Sequence, residues 1–254
     1  MRSGVALVLL LIAGAPAAAQ RPSAWLQGDI AYHGVTNGFG DWRRAGLRAV
    51  VPQGAATWYA EASGGEAFRD RGVWLGAAHR QGFGRDWFTF IGVGAGTGAY
   101  YLPNLRLDAQ VGRAWLPSRT LVTSVGVMYA DSKSSYRDLA FTGSVASYFA
   151  DGAVEVGGRL NRSTPGDVTT GRGHLALTLG RDRVRYVTLR AATGDEGYQL
   201  TGTTSTEQRF RSSEASASWR EWLGGGLGGI VQLEWYDNPF YTRTGVTLGL
   251  FHHW

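Results

Sequence analysis

Three sets of residues in this sequence have types and spacings that suggest chemistry: five histidines, a run of alternating glycines, and charged residues spaced two apart. The histidines are His33, His79, His174, His252 and His253. A histidine base beside a serine nucleophile would suit a hydrolase of lipids or proteins. No H-x-S pair, G-x-S-x-G elbow or H-E-x-x-H zinc pattern occurs. His252 and His253 adjoin, but neighbours on a strand point to opposite faces and cannot share an ion. The sequence therefore predicts no catalytic residue, no metal site and no cofactor, and we read the chain as not an enzyme.

Gly92, Gly94, Gly96 and Gly98 superficially resemble a phosphate loop. Their spacing is strictly two, whereas a dinucleotide fingerprint needs G-x-G-x-x-G between a strand and a helix. The pattern instead predicts a strand with one bare face, which lets a sheet coil or leaves room for a neighbouring ring. Asp167, Asp195 and Glu196 are expected in loops, where paired carboxylates would suit calcium. A solvated loop tip is the simpler expectation.

The charged set is the most informative. Arg44, Arg48, Glu61, Arg106, Asp108, Glu155, Arg159, Arg172, Arg190, Glu214 and Glu234 fall at alternate positions between apolar residues. Successive strand side chains point to opposite faces, so one face can be apolar and the other charged. An arginine facing lipid would cost about 2–4 kcal/mol at mid-membrane. The charged parity is therefore expected to line a lumen. Its mixed signs permit two outcomes: cross-lumen pairing that closes the interior, or unpaired arginines in a wet pore that bias it toward anions; some pairing is the favoured expectation.

These residues must be held by strands. Leu105, Leu107, Ala109 and Val111 alternate with Arg106, Asp108, Gln110 and Gly112, and the split recurs along the chain. Fourteen such segments begin near Ala24, Asp41, Ala55, Gly72, Trp87, Asn104, Arg119, Tyr136, Ala153, Thr170, Arg183, Glu207, Gly228 and Tyr241. The weakest are Gly72 to Ala78 and Glu207 to Trp219, and losing them would leave 12. Short links alternate with longer ones: Ser63 to Arg71, Asn161 to Thr169 and Thr193 to Thr206 are among the long. Outer-membrane barrels alternate short periplasmic turns and longer outer loops in this way. The fold class is all-β, a single antiparallel transmembrane barrel of about 14 strands. The segment Thr193 to Thr206 is the expected plug. Trp25, Trp87, Trp115, Trp222 and Trp254 fall at predicted periplasmic strand ends, and Trp42, Tyr129, Tyr136 and Trp235 at outer ends, as interfacial girdles require.

The opening residues read as an address. Arg2 precedes the apolar run Val5 to Ala13, and Ala17-Ala18-Ala19 supplies a cleavage site. Residues 1–19 are thus expected to be a signal peptide and 20–254 the barrel. After Arg21 no apolar stretch is long enough for a spanning helix. Cysteine is absent, which excludes disulfides and thiolate metal sites, and the net charge of +5 forms no basic tract, which argues against nucleic-acid binding. The closing strand Thr247 to Trp254 ends on an aromatic residue, similar to the terminal signal read by the barrel-insertion machinery, although His252 stands where an apolar residue is expected.

Tyr136 to Leu160, Arg183 to Tyr198 and the closing YTRTGVTLGL resemble the YaiO family of outer-membrane β-barrels. The plan is also similar: a signal peptide, no appended tetratricopeptide region, and a barrel that fills the chain. The resemblance implies a bacterial outer-membrane location and a barrel fold. For the family's activity, an association with exopolysaccharide production or export has been suggested. It brings no catalytic motif, and no functional residue is carried over. The expected function is a channel or export-associated barrel for small polar solutes or exopolysaccharide, with lipid, the insertion machinery and possible glycan as partners. The alternatives are an outer-membrane lipid-modifying enzyme, favoured if a histidine and serine meet at the outer rim, and a closed structural or adhesive barrel.

Overall fold

The computed structural model describes residues 23–200 and 206–254; the expected signal peptide lies outside them. The chain forms β1 (Trp25–Val35), β2 (Trp42–Gln53), β3 (Ala56–Ala67), β4 (Asp70–Phe83), β5 (Trp87–Thr97), β6 (Leu105–Trp115) and β7 (Leu121–Asp131). A single 3-10 turn, Lys133–Ser135, leads into β8 (Arg137–Phe149), β9 (Gly152–Thr164), β10 (Val168–Arg181), β11 (Arg185–Leu200), β12 (Thr206–Gly224), β13 (Leu227–Asp237) and β14 (Thr242–His253). Each strand pairs antiparallel with its sequence neighbours, and β1 pairs with β14, so the sheet closes. The seam runs from Trp25 opposite His253 to Val35 opposite Arg243. Closure removes both edges and satisfies the backbone inside a membrane, where no water can do so. Among the described residues no helix is long and apolar enough to cross a membrane.

The count is 14. The segments that read weakest are complete strands: β4 has 14 residues and β12 has 19. Every strand begins within two residues of the position expected from alternation.

The links differ more from expectation. β3 and β4 are joined by a two-residue turn, Phe68-Arg69, and both residues have positive φ. β9 runs on to Thr164, and β11 to Leu200. Much of what read as loop in Ser63 to Arg71, Asn161 to Thr169 and Thr193 to Thr206 is therefore strand. A strand needs about 9–11 residues to cross the hydrocarbon. The extra length of β11 (16 residues) and β12 extends the sheet past that band at the end away from the termini, called distal below. There both faces meet water, so the polar composition signals a loop while the backbone keeps pairing. The expected plug is overturned too: Thr193 to Leu200 is wall, and the remaining link, 201–205, lies outside the described residues.

Outward and inward faces alternate as the chemistry requires. Ile91, Val93, Leu160 and Leu250 are exposed on the outer surface, while Phe90, Met128, Ala140 and Thr247 are buried inside. The glycine run of β5 turns its bare face inward, and the Trp74 indole lies against it, close to Gly94 and Gly96. His33 lies against Gly245 of β14 in the same way. A ring seated on a neighbouring strand's glycine fills the lumen without widening the barrel.

Interior packing concentrates at two levels. At the distal end Trp42, Ala67, Tyr236 and Tyr241 are buried together, with Phe39, Phe68, Tyr101 and Phe240 against them. At the terminal end Phe251 is 1% exposed, with Trp222 at 5.0 Å between ring centroids and Tyr186 beyond it. Four residues expected in girdles thus belong inside, among them Tyr136, which lines the interior cavity and donates to the Gln199 carbonyl (2.7 Å). Trp42 joins the distal cluster, Trp222 packs on Phe251, and Trp25 shares the inward parity of Gln27 and takes the Arg220 guanidinium over its ring at 5.2 Å. Parity decides this, because a tryptophan at a strand end has two faces to choose from. Trp87 and Trp115 do face outward and hold Arg113 between them at 5.1 and 3.9 Å.

Candidate functional site: an ion-paired chamber under an aromatic lid

Between the two packed levels lies a cavity of about 650 Å³, lined from the distal half of the barrel. Its roof is built by the distal connections. Asn238 accepts from the backbone N–H groups of Phe240 and Tyr241 (2.8 and 2.9 Å), which folds that connection inward and buries Tyr241. Tyr241 meets Phe39 and Phe68 at 5.3 and 5.9 Å, and Phe68 meets Trp42 at 4.8 Å. Rings from four described connections and two strands therefore lie across the mouth.

Below the lid the charged residues meet. Arg44 donates to Asp29 (2.6 Å), and Arg48 faces its register partner Glu61 at 3.6 Å. Glu61 also accepts from the Trp74 Nε1 (2.6 Å), so the ring on the glycine face positions an acid. Arg106 grips Asp108 through two N–H groups (2.8 and 2.9 Å). Arg172 reaches Glu196 on β11 (3.2 Å) and Glu214 on β12 (3.0 Å). His174 pairs with Glu155 at 3.0 Å, and His33 with Glu234 at 2.5 Å. The last pair joins β1 to β13 across β14. Gly245 is the register partner of both, and its missing side chain lets the imidazole pass. Arg159 and Arg190 complete the expected set, and neither has a carboxylate within 4 Å among the described residues.

All eleven expected residues thus sit at inward positions, nine in ion pairs and two outside them. Arg106 and Arg172 are both engaged. Sequence reasoning missed other inward charges. Asp29, Asp138, Arg220 and Arg243 share the inward parity but are absent from the expected set. Glu196 was assigned to a loop, yet it points inward from β11 and accepts from Ser212 (2.6 Å) and Tyr236 (3.1 Å). Asp195 points to the opposite face, and Asp167 is held by Arg162 at 3.0 Å, so the expected loop carboxylates do not come together.

Outside the strands, hydrogen bonds set the ionisation of two turn acids. The Tyr32 hydroxyl donates to Asp41 (2.6 Å), as does the Val35 N–H (3.3 Å), and these hold the Asp41 carboxyl below its ordinary range. Arg162 does the same for Asp167.

Among the described residues one histidine–serine hydrogen bond occurs. Ser23 Oγ and His253 Nδ1 lie 2.9 Å apart. The pair sits at the terminal end, opposite the rim where a lipid hydrolase was expected to place it. His253 Nε2 is buried without a partner, so no third group orients the ring as a base. The contact instead joins the start of the described chain to β14, beside the Trp254 N–H to Ala24 carbonyl bond (3.1 Å).

Barrels of this build recur among solved structures. A CymD monoaromatic hydrocarbon channel superposes with a TM-score of 0.60 at 6% identity, over 92% of this chain and 89% of that one. A bacterial polysaccharide outer membrane secretin gives 0.56 at 10% identity, over 91% and 98%. The Acinetobacter baumannii outer membrane protein Omp33 gives 0.55 at 8% identity, over 91% and 99%. At such identities the likeness is one of fold alone. No curated protein matches the sequence. Residues 27–199 match the model of the YaiO membrane beta barrel domain, most of the chain and of its wall. The charge-alternating strands, the closed 14-strand sheet and that match together make this chain a member of the YaiO membrane β-barrel family.

Proposed function

We propose that the chain is an integral protein of a bacterial outer membrane, a barrel that admits small polar solutes or saccharide chains to an interior binding chamber and passes them through. One observation carries this reading: the cavity of about 650 Å³ is walled by fixed charge, and a packed core would instead exclude it. Ligand sites are commonly concavities of about 300–1,000 Å³ with a few placed polar groups. The similarity of shape to a hydrocarbon channel and to a polysaccharide secretin supports a conduit without naming its cargo. Residues 1–19 would deliver the chain, and the strand ending at Trp254 would present it to the insertion machinery. The reading assigns no catalytic step.

The aromatic lid favours a second reading, a closed barrel that works through its distal surface. Single-channel conductance of the refolded protein in a planar bilayer separates the two. Current from the parent, or from a variant with Tyr241 and Phe68 reduced to alanine, supports the conduit. Silence from both, with the barrel folded, refutes it.

A further inference from the structure

Among the described residues the inward carboxylates are all engaged, and the inward arginines are not all engaged. Asp29, Glu61, Asp108, Glu196 and Glu214 meet arginines, and Glu155 and Glu234 meet histidines. Asp138 accepts from Asn161 (2.9 Å) and Ser163 (2.5 Å). Arg44, Arg48, Arg106 and Arg172 take up the acids within reach. Arg80, Arg159, Arg190, Arg220 and Arg243 have no carboxylate within 4 Å among the described residues.

What holds these five leaves their charge uncompensated. Arg80 lies over Phe88 at 4.4 Å, Arg243 over Trp42 at 4.4 Å, and Arg220 over Phe251 at 4.6 Å. Arg220 also donates to the side-chain Oε1 of Gln27 at 2.8 Å. An aromatic face orients a guanidinium without cancelling its charge. The Nε atoms of Arg190 and Arg243 are buried with no acceptor. Arg159 stands directly across the ladder from Arg172, whose partners are both acids of other strands. Like charges so placed are unfavourable unless an anion joins them.

Their heights form a series. Arg243 is the second residue of β14, just under the lid, and Arg159 is mid-strand in β9. Arg190 is lower on β11, while Arg220 and Arg80 are near the terminal ends of β12 and β4. Successive sites from mouth to floor let an ion bind and still leave.

We propose that the lumen is a track for oxyanions, and that the solute taken is one bearing carboxylate or phosphate groups, bound by these five guanidiniums in turn. Guanidinium presents a planar fork of donors matched to such groups. The inference rests on the conduit reading for transport, and its test does not.

The refolded barrel is placed in a planar bilayer under a potassium chloride gradient. The expected reversal potential shows chloride preferred over potassium. In R159Q/R190Q the permeability ratio falls to about one or below, because the unpaired charge is what sets it. R159K/R190K keeps the preference and controls for folding. R113Q, on the lipid face, leaves it unchanged. Chloride current is then challenged with trigalacturonate, inorganic phosphate and maltotriose: block by the first alone indicates a carboxylate saccharide, block by phosphate a phosphate-bearing solute, and block by neutral maltotriose alone overturns the proposal. Cation preference, or a ratio unmoved in R159Q/R190Q, overturns it while leaving the conduit intact. If the parent and the lid-opened variant are both silent, the conduit reading falls. Tryptophan fluorescence of the detergent-folded barrel, titrated with trigalacturonate and phosphate, then decides alone. A saturable change lost in R159Q/R190Q upholds the track, and its absence refutes it.

Discussion

The Gly94→Ala substitution tests the packing logic that holds the chamber together. A β-carbon at position 94 would fall 2.5 Å from Trp74 Cη2 and 3.0 Å from Cε2, and nearer still to Cζ2. Carbon atoms meet at about 3.5–4.0 Å, so the ring must retreat by roughly 1 Å or more. Gly96 offers no second seat, because Leu102 Cβ (2.6 Å from a position-96 β-carbon) already presses there. Retreat breaks the 2.6 Å bond from Trp74 Nε1 to Glu61, leaving that acid with Arg48 at 3.6 Å. A hydrogen bond to a charged group contributes about 1.5–3 kcal/mol, and overpacking a filled site costs about 1–3 kcal/mol. Since relief of one aggravates the other, the expected loss is about 2–4 kcal/mol. The assay is the urea midpoint for folding into detergent micelles, read by tryptophan fluorescence and by the shift between boiled and unboiled gel samples. Gly64→Ala is the comparison, since its β-carbon meets nothing nearer than 3.9 Å and should cost little. In a Trp74→Ala background the Gly94→Ala penalty should vanish. Equal midpoints for Gly94→Ala and parent, or a penalty that persists without the indole, would refute the reasoning.

Other consequences are as direct. Arg172→Gln strands Glu196 and Glu214 together, and should lower stability by about 2–3 kcal/mol, measured by the same urea midpoint; a loss below about 0.5 kcal/mol would mean that water already screens the triad. Tyr241→Ala/Phe68→Ala should raise conductance if rings limit the mouth, and unchanged current from a conducting parent would place the constriction at the Trp222–Phe251 level instead. The Asp41 carboxyl is depressed in the folded chain, so its contribution is present above the ordinary value of about 3.9 and is lost as pH falls through its folded value. Amide exchange in 36–40 should therefore speed up below about pH 4 in the parent, while Asp41→Asn shows fast exchange at every pH.

What could be read in advance followed from the period of two. Hydrophobic alternation fixed which side chains face lipid, because a misplaced arginine costs more than any local preference can offset. That single constraint placed all fourteen strands, and it put Arg44, Glu61, Arg159 and Glu234 on one side of the wall. It also identified the bare face of Gly92 to Gly98 as room for a ring. Where the constraint lapsed, so did the reading: beyond the lipid band Thr193 to Leu200 and Ser63 to Ala67 have polar residues on both faces, and strand and loop look alike. Parity also cannot say which inward groups meet. Arg172 finds Glu196 and Glu214 on two further strands, and His33 finds Glu234 over Gly245 at a sequence distance of 201. Such contacts depend on barrel radius and stagger, properties of the closed sheet and of no single strand. The sequence by itself determined the faces of the wall. Closure alone decided that, among the described residues, the inward acids would all be answered and five inward arginines would be left without a carboxylate.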